Sequence, residues 1–234
     1  MIQDFAKELS LGLLHLFYPR LCEGCRQPLH TDETVLCLNC IMELPETNYH
    51  DQPDNDSTMR FAGRFPFGYA TSYGYFVNDG LLQHLVHRLK YGGRQDIGTF
   101  LGTQFGNSLN NVDWIKAIDV IIPVPLHKKR ELERGYNQST LIAQGMSSIV
   151  GIPVREEILV RGRRTETQTK KSREDRLKNM AGAFIVQQPD IIRNKHVLLV
   201  DDVLTTGATL ESCALALLKV EGVKVSIATI GIAV

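Results

Sequence analysis

The sequence predicts an α/β protein, a parallel sheet flanked by helices, with a small cysteine-rich module ahead of it. Three observations carry that expectation. Val197-Leu198-Leu199-Val200 is an unbroken apolar run of strand length, the pattern of a strand buried on both faces of a parallel sheet. It runs through Asp201-Asp202 into Thr205-Thr206-Gly207-Ala208-Thr209, and then into a helix with Leu210, Ala214, Leu217 and Leu218 on one side. Far upstream stand two Cys-x-x-Cys pairs, Cys22 with Cys25 and Cys37 with Cys40. The expected division is 1–58 for an N-terminal helix, metal module and linker, and 59–234 for the α/β domain.

The 234 residues carry 26 Lys plus Arg against 26 Asp plus Glu. No net field therefore draws the chain toward nucleic acid or membrane, and any polyanion site has to be local. No apolar run reaches the length of a bilayer-spanning helix, and the start, Met1 to Glu8, lacks the basic region and cleavage site of a signal peptide. A cytoplasmic protein with no membrane insertion is expected.

From Asp4 to Phe17, the residues Phe5, Leu9, Leu13, Leu16 and Phe17 recur at helical spacing until Pro19 stops them, which predicts a packing helix. Each cysteine pair turns two thiolates on one centre, and two pairs complete a tetrahedral four-cysteine set for zinc; iron accepts the same ligands. With every ligand position filled by protein, such a metal is structural. A reducing compartment argues against disulfides here. Cys213 reads as a small core residue. Between Leu44 and Phe61 the chain turns polar, with Pro45, Pro53 and Asp54-Asn55-Asp56-Ser57, and reads as a linker or loose loop.

Phe67 to Phe76 is aromatic and partly alternating, as a strand would be, and its rings are expected to pack against a neighbouring element. A helix follows, capped by Asp79, with Leu81, Leu82, Leu85, Val86 and Leu89 on its buried side and His84 and His87 off it. Its end, Lys90-Tyr91-Gly92-Gly93-Arg94, is a glycine turn between cations that either faces an anion or completes the helix C-terminus.

Ile118 to Pro125 predicts a second buried strand, halted by its prolines. The basic stretch from His127 to Gln138 follows, where Arg130 and Arg134 share a face if it is helical, and guanidinium forks suit diphosphate oxygens. Gly135 and Asn137 open a further amphipathic helix bearing Leu141, Ile142, Met146 and Ile149. From Arg161 to Lys178, eight cations, among them Arg161, Arg163 and Arg164, face three carboxylates for a local charge of +5. Such a tract can close over a diphosphate or contact single-stranded nucleic acid. Val223 to Ile230, alternating and β-branched, is the last expected strand.

The chemistry concentrates after Val200. Asp201 and Asp202 fall at the carboxyl end of a central strand, where open α/β sheets place ligands, and an acidic pair suits vicinal hydroxyls or a metal. The loop from Thr205 to Thr209 offers backbone N–H groups at a helix N-terminus, three hydroxyls, and a glycine that permits close approach, which together suit a phosphate. A ribose 5-phosphate carries both.

This arrangement resembles the phosphoribosyl-diphosphate (PRPP) signature of type I phosphoribosyltransferases. With the two cysteine pairs, Leu-Lys90-Tyr-Gly-Gly, Val124-Pro-Leu, Arg134-Gly-Tyr-Asn-Gln138, and Arg-Thr165-x-x-Gln168 with Arg176 and Asn179, the resemblance extends over nearly the whole chain to the ComF/GntX, or competence protein F, family. It implies a zinc ribbon fused to a type I phosphoribosyltransferase fold, with Mg2+-complexed PRPP as ligand. Asp201 and Asp202 would then hold ribose hydroxyls and metal waters, and Thr205, Thr206, Gly207, Ala208 and Thr209 the 5′-phosphate. Arg134 and Lys90 would meet the diphosphate; Arg130, Arg161, Arg163 and Arg164 are candidates for diphosphate or DNA contact. The resemblance also implies a part in natural transformation, on single-stranded DNA and with a helicase partner. A catalytically silent DNA-binding or nucleotide-sensing module is the alternative role.

Overall fold

A computed structural model describes residues 19–162 and 183–234. The helix expected over 4–17, and the basic tract beyond Gly162 with Arg163 and Arg164, lie outside the described residues. The chain forms two compact units that divide between Leu44 and Pro45.

In the first unit the described residues hold one short helix, α1 (Leu38–Met42). Cys22 N donates to Gln27 O at 2.8 Å and Leu29 N to Arg20 O at 2.7 Å, closing a small hairpin around the first cysteine pair. The Glu33 carboxylate accepts from His30 N at 2.7 Å and Leu38 N at 2.9 Å, which ties the loop between the pairs to the start of α1.

In the second unit a four-stranded, fully parallel sheet runs in the order β1 (Ala70–Phe76), β6 (Lys224–Ala233), β5 (His196–Leu204), β2 (Val120–Pro123). β5 is central. Val197 to Val200 are all fully buried, so the continuous apolar run meets packed material on both faces, as expected. β2 lies on the edge, where Pro123 forfeits no interior ladder bond. β3 (Leu159–Arg161) and β4 (Phe184–Val186) pair antiparallel in a separate ribbon too short to read from sequence.

Helices α2 (Asp56–Phe61), α3 (Leu81–Tyr91), α4 (Gln95–Leu109), α5 (Lys128–Arg134), α6 (Gln138–Val150) and α7 (Ala208–Leu217), with short 3-10 turns at Tyr49–Asp51, Asp113–Ala117 and Pro189–Ile191, complete the described unit. Gly80 rather than Asp79 occupies the N-cap of α3, because Asp79 sits at φ 59° and its N–H turns to the Gln83 side chain at 2.8 Å. The stretch read as a linker is folded instead. Thr47 N bonds Tyr73 O at 2.9 Å and Tyr75 N bonds Pro45 O at 2.8 Å, stitching the chain to β1. Asn55 is buried, with its amide shared among the carbonyls of Tyr49, Gln52 and Ala70, and Ser57 bonds Ser72 at 2.7 Å. The polarity of this segment serves internal hydrogen bonds rather than solvent.

Helix α4 crosses α6 at glycines. A Cβ on Gly145 would fall 2.2 Å from Thr99 O, and one on Gly102 would fall 2.1 Å from Ile142 O. Gly145→Ala is therefore expected to force the helices apart. Alanine gains up to ~1 kcal/mol of helix propensity, while overpacking of a close crossing costs about 1–3 kcal/mol. The melting midpoint should fall by roughly 2–4 °C per kcal/mol of net loss. Calorimetry checks it; a midpoint at or above wild type refutes the tight crossing.

Candidate functional site

The two carboxylates lie near the carboxyl end of β5, Asp202 two residues short of Leu204, among partners from two helices. Asp202 is buried at 6% exposure, and its Oδ2 lies 2.9 Å from Lys90 Nζ at the end of α3. That oxygen has no well-aligned hydrogen bond, so the ion pair leaves unspent acceptor capacity in a buried place. Asp201 Oδ1 accepts from Ser139 Oγ in the first turn of α6 and from Asp202 N, each at 2.9 Å. Burial, and then the negative charge of Asp202, push Asp201 up to about 7 against the opposing pull of those hydrogen bonds and of Lys90. Two adjacent carboxylates with one ammonium between them leave an excess of negative charge. A cation or a set of hydroxyls relieves it.

After β5 the chain turns at Gly207, where φ is +75° and a Cβ would meet Phe61 Cε1 at 2.7 Å, so glycine is required there twice over. Thr205, Thr206 and Thr209 are exposed around it. The N-cap position of α7 offers no side-chain acceptor. Two arginines that sequence reasoning passed over hold this loop from behind. Arg60 donates to Thr205 O at 2.6 Å and Ala233 O at 2.8 Å, while Arg64 donates to Thr206 O at 2.8 Å and pairs with Glu211. Their spacing of four was visible, but Arg60 lay in the stretch read as linker and Arg64 just beyond it.

A third segment joins α3 to the loop before α6. Tyr136 OH donates to Leu89 O, and Asn137 caps α6 through Ser139 N at 3.1 Å while its amide bonds Val124 O at 3.0 Å. Arg134 pairs with Gln138, and its guanidinium lies 5.7 Å from the centre of the Tyr91 ring. Lys90, Asp202, Asp201, Ser139 and the Arg134 loop are thus linked by contacts. Arg130 is exposed one turn earlier on α5. Arg161, exposed on β3, stands 5.5 Å over the Phe184 ring and shares no described hydrogen bond or ion pair with the acidic pair. Ser139 was a third residue not anticipated; only its place behind the capping Asn137 marked it.

In the first unit, Cys22, Cys25, Cys37 and Cys40 bring four sulfurs within 4.8 Å of one another, with Cys25 and Cys37 at 3.6 Å. Sulfurs held ~2.3 Å from a tetrahedral ion stand about 3.8 Å apart, so the cluster fits a four-thiolate metal site. Burial raises Cys22, but backbone N–H groups, Cys37 foremost at 3.3 Å, more than offset that and lower it to about 7. Burial and the neighbouring sulfurs push Cys40 up. All five cysteines are unpaired by disulfide, and Cys213 is fully buried in the core as expected.

A parallel sheet with an acidic pair and a threonine-rich turn at the end of its central strand is the architecture of a phosphoribosyltransferase-like protein. The pattern of the phosphoribosyl transferase domain family matches residues 137–234, which include both carboxylates and the turn. The relatives cover more. Competence protein F of Haemophilus influenzae is 30% identical over 217 residues, 89% of this chain and 88% of that one. Competence protein ComFC of Bacillus subtilis is 30% identical over 218 residues, 92% and 86% of the two chains. DNA utilization protein YhgH of Escherichia coli K12 is 29% identical over 210 residues, 85% and 84%. The chain belongs to the competence protein F family. Among solved structures, the glutamine PRPP amidotransferase of B. subtilis complexed with ADP and GMP aligns at 21% identity and a TM-score of 0.41. That alignment takes in 60% of this chain and 30% of that one. No described helix is long and apolar enough to cross a membrane.

Proposed function

We propose that the protein binds Mg2+-complexed PRPP across the end of β5, as a phosphoribosyltransferase-like component of DNA uptake. The observation that carries the reading is the union, on one strand-loop-helix, of an acidic pair whose buried Asp202 keeps an oxygen without a hydrogen bond and a turn whose Thr205 and Thr206 carbonyls are bonded by Arg60 and Arg64. In this reading Asp201 and Asp202 take the ribose hydroxyls and metal waters, and Thr205 to Thr209 take the 5′-phosphate. When bound, Mg2+ would neutralise charge on the diphosphate. Ser139 keeps Asp201 oriented throughout. Lys90 gives up its contact with Asp202 and, with Arg134, meets the diphosphate that departs as an incoming nucleophile takes its place at the ribose. The cysteine cluster holds structural zinc. The names of the relatives support placement in DNA metabolism, where the exposed Arg130 and Arg161 are candidate contacts for single-stranded DNA and a helicase is the expected protein partner.

Calorimetric titration of Mg2+-PRPP into wild type and into Asp201→Asn/Asp202→Asn tests the reading. Wild type is expected to show saturable binding that the double variant weakens by roughly a hundredfold, since each charged acceptor contributes about 1.5–3 kcal/mol. A folded, metal-loaded wild type that gives no binding heat refutes it.

A further inference from the structure

We infer that Arg60 and Arg64 are positioning residues of the phosphate loop, so that a segment preceding β1 in the chain forms the rear wall of the 5′-phosphate site. The inference rests on the PRPP reading. In a trans peptide unit the C=O and the following N–H lie in one plane and point in opposite directions. Arg60 fixes the Thr205 carbonyl at 2.6 Å and Arg64 fixes the Thr206 carbonyl at 2.8 Å. The N–H groups of Thr206 and Gly207 are therefore aimed away from the arginines, and among the described residues neither has an acceptor. Those two donors and the amides of Thr209 and Leu210 in the first turn of α7 are what an anion would meet, while Ala208 N donates to Thr206 Oγ1 at 3.4 Å.

The arginines are themselves anchored. Phe61, fully buried between them in the sequence, presents its ring to the space that a side chain at position 207 would need, and the Arg64 guanidinium lies 5.9 Å from the centre of that ring. Arg60 reaches in addition to Ala233 O at 2.8 Å, so one fork spans the phosphate loop and the end of β6. Charge divides unequally between the two. Glu211 neutralises Arg64, whereas Arg60 contacts carbonyls and pairs with no carboxylate among the described residues. Arg60 thus leaves a positive charge behind the loop, directed at whatever binds in front of it.

The test uses two probes that report on opposite ends of the site, ribose 5-phosphate and magnesium diphosphate. Each is titrated into wild type, Arg60→Ala, Arg60→Lys and Arg64→Ala, with hydrogen exchange at the Glu211 amide, which bonds Gly207 O at 2.8 Å, followed in parallel without ligand. Arg60→Ala is expected to weaken ribose 5-phosphate about tenfold while leaving diphosphate within about twofold, because only the loop amides lose their alignment. Arg60→Lys keeps the charge but not the fork, and should fall between. Exchange at Glu211 should quicken in both alanine variants, because its acceptor Gly207 O belongs to the loop that the arginines hold. Unchanged ribose 5-phosphate binding, equal loss of both probes, or unchanged exchange would each overturn the positioning role. A wild type that binds neither probe overturns the PRPP reading instead, and the exchange rates alone then decide the role of the arginines.

Discussion

Chelating the metal from zinc-loaded protein, or replacing Cys22 with serine, is expected to unfold residues 19–44. The described part of this unit has almost nothing else to hold it. Its buried apolar side chains are Cys22, Val35, Leu36, Cys40 and Leu44, and two of those five belong to the four-sulfur cluster. Segments below about 40 residues seldom bury enough surface to fold without a metal or disulfides, and structural zinc supplies about 10–16 kcal/mol of apparent binding energy in finger peptides. The thiols oppose one another without a cation, since burial and neighbouring sulfurs push Cys40 up while Cys22 is lowered to about 7. Amide exchange should show the Leu29 N–H, bonded to Arg20 O, and the Leu38 N–H, bonded to the Glu33 carboxylate, protected with zinc and unprotected after chelation. Protection that survives metal removal would mean the four sulfurs are a packing cluster and not a site.

Asp201→Asn is expected to stabilise the protein at pH 8 while weakening Mg2+-PRPP binding. An ordinary aspartate titrates near 3.9, whereas burial and the charge of Asp202 push Asp201 up to about 7. Between those values the folded chain keeps a proton that the unfolded chain has lost, so stability falls as pH rises from about 4 to about 7 and levels off above. Three pH units correspond to ~4 kcal/mol as a ceiling. Asp201 is only partly buried and Lys90 stands nearby, so about half of that is a fairer figure. Asparagine keeps an oxygen for Ser139 Oγ and removes the charge. Denaturant melts at pH 4.5 and pH 8 should show the variant and wild type converging at the lower pH and separating at the higher. A difference that does not vary with pH would place the titration elsewhere.

Much of this molecule was legible because its signals were local. Val197 to Leu210 carries strand, acidic pair, turn and helix start in fourteen consecutive residues, and each follows from neighbours a few positions away. Asn137 as a cap and Pro123 as an edge residue were readable for the same reason. The failures involve partners far off in the chain. Asn55 and Ser57 read as solvated because the carbonyl of Ala70 and the hydroxyl of Ser72 that bind them belong to β1. Arg60 and Arg64 find their carbonyls 145 and 142 residues downstream. Helix α4 escaped notice because Gly98, Gly102 and Gly106 weaken both propensity and apolar pattern, although at Gly102 the missing side chain is what admits α6. Lys90 was read as facing an anion or closing a helix; its contact with Asp202 needed the folded sheet to appear.

The strand order sets a clock on folding. β1 hydrogen-bonds only to β6 within the sheet, with partners such as Ser72 and Thr229 lying 157 residues apart. A ribosome adding 5–20 residues per second would leave β1 without its neighbour for roughly 8–30 s, far longer than hairpins or helices need to form. During that interval an aromatic strand has its pairing edge unfilled, which is the circumstance in which chains aggregate or recruit chaperones. The Arg60 contact with Ala233 closes at the same late moment, so the bracing of the Thr205–Thr209 loop and completion of the sheet arrive together rather than in sequence.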